Sequence, residues 1–410
     1  MLVRGSAFFI ASAFVLAGCT AGPRQGFTPV GDAPAVSLVS AATITEQLLH
    51  NFTGAVNDGA APISGLMKAG GLLYGVSGSG GRYGQGTVFS TYPDGTGFKV
   101  VYSFQGKQDG SPLAATALTN VGGTLYGTTS IGGATNNGTV FSITTSGAFR
   151  TLYSFKGGTR DGANPVTPLL NVGGTLYGTT FSGGSVRVGN NLCNGCGTMF
   201  SITKGGQEKV LYFFGSVKGD GKNPIGTLVY LDRKFYGTTE TGGSGPGTVF
   251  SVTRGGKEAV LYRFKNKGDG RCNGGWCNLT KLNGTLYGTA YFGGKNHMGS
   301  VFSIAPDGTF KTLYSVSQSG KFGAFPSAPL TNVNGTLYGT MSDREFGNAR
   351  NGTVFSVKTD GTFNLIYGFA GGIDSATPMS SLTLANGKLV GTTNKGGNGL
   401  VGTIYSITGI

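Results

Sequence analysis

The chain has 410 residues, of which 78 are glycine, 31 lysine or arginine, 17 aspartate or glutamate, and only 2 histidine, for a net charge of +14. A hydrophobic content of 38% and an aromatic content of 11% exclude a disordered chain and allow a large buried core. Two histidines exclude a histidine-rich metal centre, and acid–base catalysis has few candidates.

The N-terminus reads MLVRGSAFFIASAFVLAGC. Arg4 precedes an apolar run, Ala7–Val15, that is too short to cross a membrane as a permanent helix, so residues 1–18 read as a secretory signal. Leu16-Ala17-Gly18-Cys19 resembles the bacterial lipoprotein processing box. That resemblance implies cleavage before Cys19 and a lipid on its sulfur, which would hold the protein to the membrane. Thr20 is not the aspartate that retains lipoproteins at the inner membrane, which favours the outer membrane, on its periplasmic side or at the cell surface. Residues 19–43 are rich in Pro, Ala, Gly and Ser and read as a flexible tether.

From residue 44 to 410 the chain repeats. GTLYGTT stands at Gly123 and again at Gly174, with relatives from GLLYGVS (Gly71) to GKLVGTT (Gly387). Their inner glycines are Gly75, Gly127, Gly178, Gly237, Gly288, Gly339 and Gly391, spaced 52, 51, 59, 51, 51 and 52 apart. GTVFS (first at Gly86) and LYSF (Leu152) keep the same beat, and LHNF at Leu49 is the earliest copy of the latter. Each motif is a run of β-branched and aromatic residues between glycines, which predicts a strand. A weaker apolar segment, such as Pro112–Val121, Pro168–Val172 or Pro329–Val333, supplies a fourth. With no helical period, four strands per unit of about 51 residues predict an all-β fold, a seven-bladed β-propeller of four-stranded blades. We label the weak strand a, LYG b, GTVFS c and LYSF d. Blade one then runs from about Ala60 to Phe104. The seventh unit holds only a, b and c, so the N-terminal segment Ile44–Phe52 is expected to close the ring beside Thr403–Ile407. The glycine after tyrosine suits close sheet-to-sheet approach, and Asp-Gly turns at Pro93, Pro306 and Thr359 join c to d.

Candidate chemistry is sparse. Cys193 and Cys196, in the inserted loop of blade three, and Cys272 and Cys277, entering blade five, read as two local disulfides in an exported protein, with a four-cysteine zinc site as the rival. His50 takes the tyrosine place of LYSF and reads as packing; His297 reads as a solvent-exposed loop residue. Asp58, Asp109, Asp161, Asp220, Asp269 and Asp374 recur once per unit between d and a, which fits turn capping better than catalysis or calcium binding. Basic residues divide evenly between the two faces of the disc, so no nucleic-acid site is singled out. Trp276, the sole tryptophan, lies between Cys272 and Cys277 on the long-loop face, near Arg271, Lys267, Tyr291 and Phe292. This corner is the candidate contact for a glycan.

LYGTTSIGGATNNGTVFSITTSGAFRTLYSFKGGTRDGANP (Leu125–Pro165) resembles the GloVer tandem repeat of the choice-of-anchor tandem repeat proteins. The resemblance covers about Ile44 to Ile410. It implies a bacterial surface protein and carries over no reaction, cofactor or functional residue. The expected function is that of a monomeric, envelope-anchored binding or scaffold module whose partner is an envelope or extracellular glycan or protein. A polysaccharide-active lyase or hydrolase on a propeller scaffold, or a purely structural surface protein, are the rivals.

Overall fold

The computed structural model describes residues 44–112, 117–188, 191–193, 195–243, 245–265, 268–272, 276–317, 323–342 and 351–410. The signal segment, Cys19 and the tether lie outside them, as does Lys267. Among the described residues every regular element is a strand.

Seven antiparallel sheets in chain order form a seven-bladed β-propeller. Blade two is representative, with a at Thr119–Val121, b at Thr124–Thr129, c at Thr139–Thr144 and d at Phe149–Ser154. Strands b and c are buried almost throughout, and d is mostly half-buried at the rim. Blade one spans Gly59–Ser103, close to the expected bounds. Strand a is the irregular element. In blades one, four and seven it is broken into two pieces, as at Gly59–Pro62 and Met67–Ala69. Among the described residues it runs unbroken over six residues only in blade five, Cys277–Leu282. The insertion of blade three adds a small hairpin, Val186–Val188 with Asn191–Cys193, that no repeat motif announced.

The ring closes as the sequence predicts. Thr45–Asn51 pairs antiparallel with Thr403–Thr408 as strand d of blade seven. Phe52 N–H donates to the Gly402 carbonyl at 3.0 Å, as Phe104 does to Gly86 and Phe155 to Gly138. The N-terminal strand therefore reproduces the bonding of every other d strand.

The core is seven separate apolar clusters, each spanning two neighbouring blades. Between blades one and two, Tyr74, Val88 and Phe104 meet Leu118, Leu125 and Phe141. Between blades seven and one, Phe52 and Ile404 meet Leu66, Leu73 and Phe89. The threonines of LYGTT have distinct tasks. The first donates across the seam to strand a of the next blade, as Thr238 does to the Cys277 carbonyl at 2.6 Å and Thr289 to Ala328 at 3.1 Å. The second pairs with the first threonine of GTVFS, as in Thr129–Thr139 and Thr180–Thr198, both 2.8 Å between hydroxyls.

The glycine of LYG has a different reason from the expected one. It makes room within its own blade: Gly237 pairs with Phe250 of strand c. A Cβ there would lie 2.5 Å from the Phe250 ring and 3.1 Å from Leu228. The tip of the phenylalanine ring occupies the space beside the glycine, and Phe214 of the neighbouring blade packs on that ring with 4.8 Å between centroids. Gly237→Ala is therefore expected to lower stability by about 1–3 kcal/mol through overpacking. Gly368→Ala, with nothing within 4 Å of the added carbon, should change it by less than about 0.5 kcal/mol. Denaturant midpoints of the two variants check this, and equal midpoints would refute the packing role.

Candidate functional site

Strand a lines the centre of the ring, and its first residues converge there. Counting back three from the strand-a leucines Leu66, Leu118, Leu169, Leu228, Leu279, Leu330 and Leu382 gives Ile63, Ala115, Val166, Ile225, Trp276, Ser327 and Met379. All of these but Ala115, which lies outside the described residues, line one cavity of about 730 Å³ at the axis. Its other lining residues include Asn278, Thr227 and Ser381. No described lining residue carries an ionisable side chain.

Trp276 lies at the end of this channel, which its sequence position alone did not reveal. It is half-buried, packed on the blade four–five cluster that includes Ile225, Cys272, Cys277 and Leu279. Its carbonyl accepts the Tyr291 N–H at 3.1 Å. Cys272 and Cys277 are bonded to each other, with 5.3 Å between Cα atoms, so the backbone on both sides is fixed. Cys193 and Cys196 form the second local pair. Among the described residues no group of three or more potential metal ligands occurs.

The other residues of the corner divide. Arg271 N–H donates to the Phe292 carbonyl at 2.9 Å, and its guanidinium stands 4.7 Å over the Phe292 ring. Tyr291 is buried at 5% exposure and stacks on Phe325 at 5.1 Å. It supports the blade five–six seam rather than offering a surface. Trp276 faces the channel, and Arg271 and Phe292 form a pair of their own.

The recurrent aspartates are turn caps with a further partner. Asp161 Oδ2 accepts from Lys156 N–H at 2.7 Å and from the Tyr153 hydroxyl at 2.8 Å, while Oδ1 accepts Gly162 N–H at 2.7 Å. Asp109, Asp220 and Asp269 likewise take the tyrosine hydroxyls of Tyr102, Tyr212 and Tyr262. His50, in the tyrosine place, bonds Asp58 at 3.1 Å and stacks on Phe98 at 3.7 Å, which is the packing expected of it. Burial of Asp58 favours the neutral acid, but the bonds from His50, Gly59 and Thr53 outweigh it and hold its pKa below the usual value. His297 is exposed in its loop.

A second regularity appears at the seams. The next blade places an aromatic ring flat on the tyrosine or histidine in four of them: Phe98 on His50, Phe149 on Tyr102, Phe310 on Tyr262 and Phe363 on Tyr314. In the other three the corresponding residue is a glutamate: Glu208 beside Tyr153, Glu258 beside Tyr212 and Glu46 beside Tyr367. Burial raises all three carboxyls, and the charges of Asp161, Asp220 and Asp374 raise them further, to about 7 for Glu208 and Glu46 and about 8 for Glu258. Aligning GAF before Arg150 with GGQ-Glu208 and GGK-Glu258 would have exposed this exchange in the sequence.

Seven blades about a lined channel place the chain among the β-propellers. It belongs to the Gloeobacter/Verrucomicrobia repeat family, whose profile matches residues 31–192 and 188–405. No curated protein matches it. Among solved structures it is similar to an oligogalacturonate lyase in complex with manganese, at 9% identity and a TM-score of 0.54, over 92% of this chain and 96% of that one. It is also similar to a protein assigned as a 6-phosphogluconolactonase from Bacteroides uniformis, at 14% identity and a TM-score of 0.51, over 80% and 89%. At these identities the likeness is one of fold.

The three glutamates give a pH dependence of defined sign. Their folded pKa values lie above the ordinary 4.5, so the folded state binds extra protons between about pH 4.5 and 8. Their contribution is complete below the lower limit and is lost as pH rises through 7 to 8. Thermal midpoints should therefore fall from pH 5 to pH 9, and Glu208→Gln with Glu258→Gln should flatten that slope. An unchanged slope would contradict the assignment.

Proposed function

We propose that the protein is an envelope-held binding module that recognises its partner through the face bearing the d–a and b–c loops. The observation that carries this reading is the position of Trp276: the only tryptophan of the chain sits at the channel end on that face, fixed by a disulfide and partly exposed. A flat aromatic surface on a preorganised loop suits a glycan, and loop fixation lowers the ordering cost of binding. The signal segment and Cys19 support export and lipid anchoring, at the outer membrane by the rule of Thr20. Strand d of blade seven begins at Thr45, beside the end of strand c, whereas Trp276 stands where the d–a connection enters blade five.

The test is binding of the full chain in detergent to envelope polysaccharides at two salt concentrations, with Trp276→Ala alongside. Binding retained at high salt and weakened at least about tenfold in the variant, the worth of roughly 1.4 kcal/mol of lost contact, is the expected outcome. Binding that disappears with salt equally in both would reduce it to the general attraction of a +14 chain for anions.

A further inference from the structure

Of the eight large apolar side chains exposed among the described residues, four share one sector of one face. Ile373, at 77% exposure, lies on the d–a loop entering blade seven, Leu400, at 62%, on the b–c loop of blade seven, and Val56, at 60%, on the d–a loop entering blade one. Tyr83 follows on the b–c loop of blade one. The first three loops are fastened together. Gly397 N–H donates to the Asp374 carbonyl at 2.9 Å, and Asn398 N–H donates to Asn51 Oδ1 at 3.1 Å. The repeat does not ask for apolar residues here. Directly before the recurrent aspartate, where Ile373 stands, other units have Asn57, Gln108, Arg160, Gly219 and Gly268. One place earlier, where Val56 stands, they have Lys107, Thr159 and Lys218. Two places before the GTVFS glycine, where Leu400 stands, they have Gly84, Asn136, Gly195 and His297, all at positive φ. Leu400 holds φ at 56°, a region that leucine rarely enters, and yet turns outward. Apolar residues grouped at loop tips against the pattern of the repeat mark a surface that meets something outside the chain.

We propose that this sector, carried by blades seven and one, docks on an anionic lipid bilayer, with Ile373, Leu400 and Val56 entering the headgroup region. The charges around the patch select that occupant. The exposed charged side chains described on these loops and the adjoining d–a loop are Arg82, Lys107 and Lys395, all cations. The carboxylates of Asp58, Asp109 and Asp374 are taken up by backbone N–H groups of their own turns. Apolar tips rimmed by cations gain both from burial in the interface and from attraction to acidic headgroups. Tyr83, with the Arg82 guanidinium 5.6 Å over its ring, has the amphipathic character that suits the headgroup level. The proposal goes beyond the binding-module reading and takes from it only the export that brings the chain to a bilayer. Blade six separates the sector from blade five and Trp276, so it stands whether or not Trp276 meets a glycan. Contact confined to blades seven and one tilts the face against the bilayer and leaves the blade-five side open to solvent.

The test reads lysine accessibility in the full chain, reconstituted from detergent into vesicles of phosphatidylglycerol with phosphatidylcholine or of phosphatidylcholine alone. A water-soluble acylating reagent is added and each lysine is followed by peptide mass. Lys395 and Lys107 report on the patch, and Lys257 and Lys358, exposed in c–d turns, report on the opposite face. On the anionic vesicles Lys395 and Lys107 should react at least about threefold more slowly than on the neutral ones, while Lys257 and Lys358 keep their rates. The double variant Ile373→Gln with Leu400→Asn should lose that protection. Gln108 and Asn136 occupy the same two places in blade two, with Asn136 at φ 60°, so the loops keep their fold. Equal rates at all four lysines on both vesicles would overturn the proposal. So would protection of Lys257 and Lys358 instead, which places the bilayer on the other face, or protection unchanged in the variant, which leaves the apolar tips without a part. Protection of Lys395 already in detergent, with a dimer on sedimentation, would give the patch to a second copy of the chain and overturn the bilayer.

Discussion

No blade of this protein can bury its own faces. Strands b and c are apolar on both sides, and every cluster of the core lies between two blades and none within one. Each blade therefore depends on both neighbours, and the constraint falls hardest where the chain would otherwise leave an edge. The strand Thr45–Asn51 meets it by pairing with Thr403–Thr408 and delivering Phe52 into the seam against Leu66, Leu73 and Phe89. Without that strand, strand c of blade seven would present unpaired backbone to other chains, and the seventh seam would lose a fully buried phenylalanine.

The seams are alike in their interior and differ at their rim. Inside, the same contacts recur: phenylalanine over glycine in six blades, with Tyr405 over Gly391 in the seventh, leucine beneath, and a threonine bonded to the next strand a at five seams. At the rim four seams end in a stacked aromatic pair and three in a glutamate near an aspartate. The three tyrosine–phenylalanine pairs hold no group that titrates near neutrality, whereas a buried carboxyl beside a second one holds its proton to neutrality. One ring thus contains two kinds of fastening, distributed unevenly around the disc.

Most of the architecture was legible in the sequence because each blade repeats its instructions. The period, the strand assignments, the closing strand and the two local disulfides all follow from residues that recur or stand close together. Strand a was legible only as a weak segment, since its broken pieces hold few residues and its path is set by neighbouring blades. The role of the LYG glycine was misplaced because the phenylalanine that fills its space lies two motifs' length away in the same unit. The tyrosine–aspartate bond joins two residues that the sequence shows plainly but separates by a loop. The channel position of Trp276 depends on the three-dimensional ring: residues about fifty apart become adjacent only after all seven blades close.

The proposed binding site, by contrast, lies where the repeat is broken. The regular residues are occupied with one another, and Trp276 stands at the channel where other blades present Ile63, Val166 and Ile225. That site exists only if the ring is closed, since its wall draws on strand a of every blade. The most direct measurement compares chains beginning at Pro34 and at Thr53 by denaturant unfolding and sedimentation. The account predicts that the first is monomeric with a single sharp transition, and that the second unfolds at lower denaturant and self-associates through the bare strand Thr403–Thr408. Equal transitions and equal sedimentation would contradict closure by the N-terminal strand, and with it the ring on which the site depends.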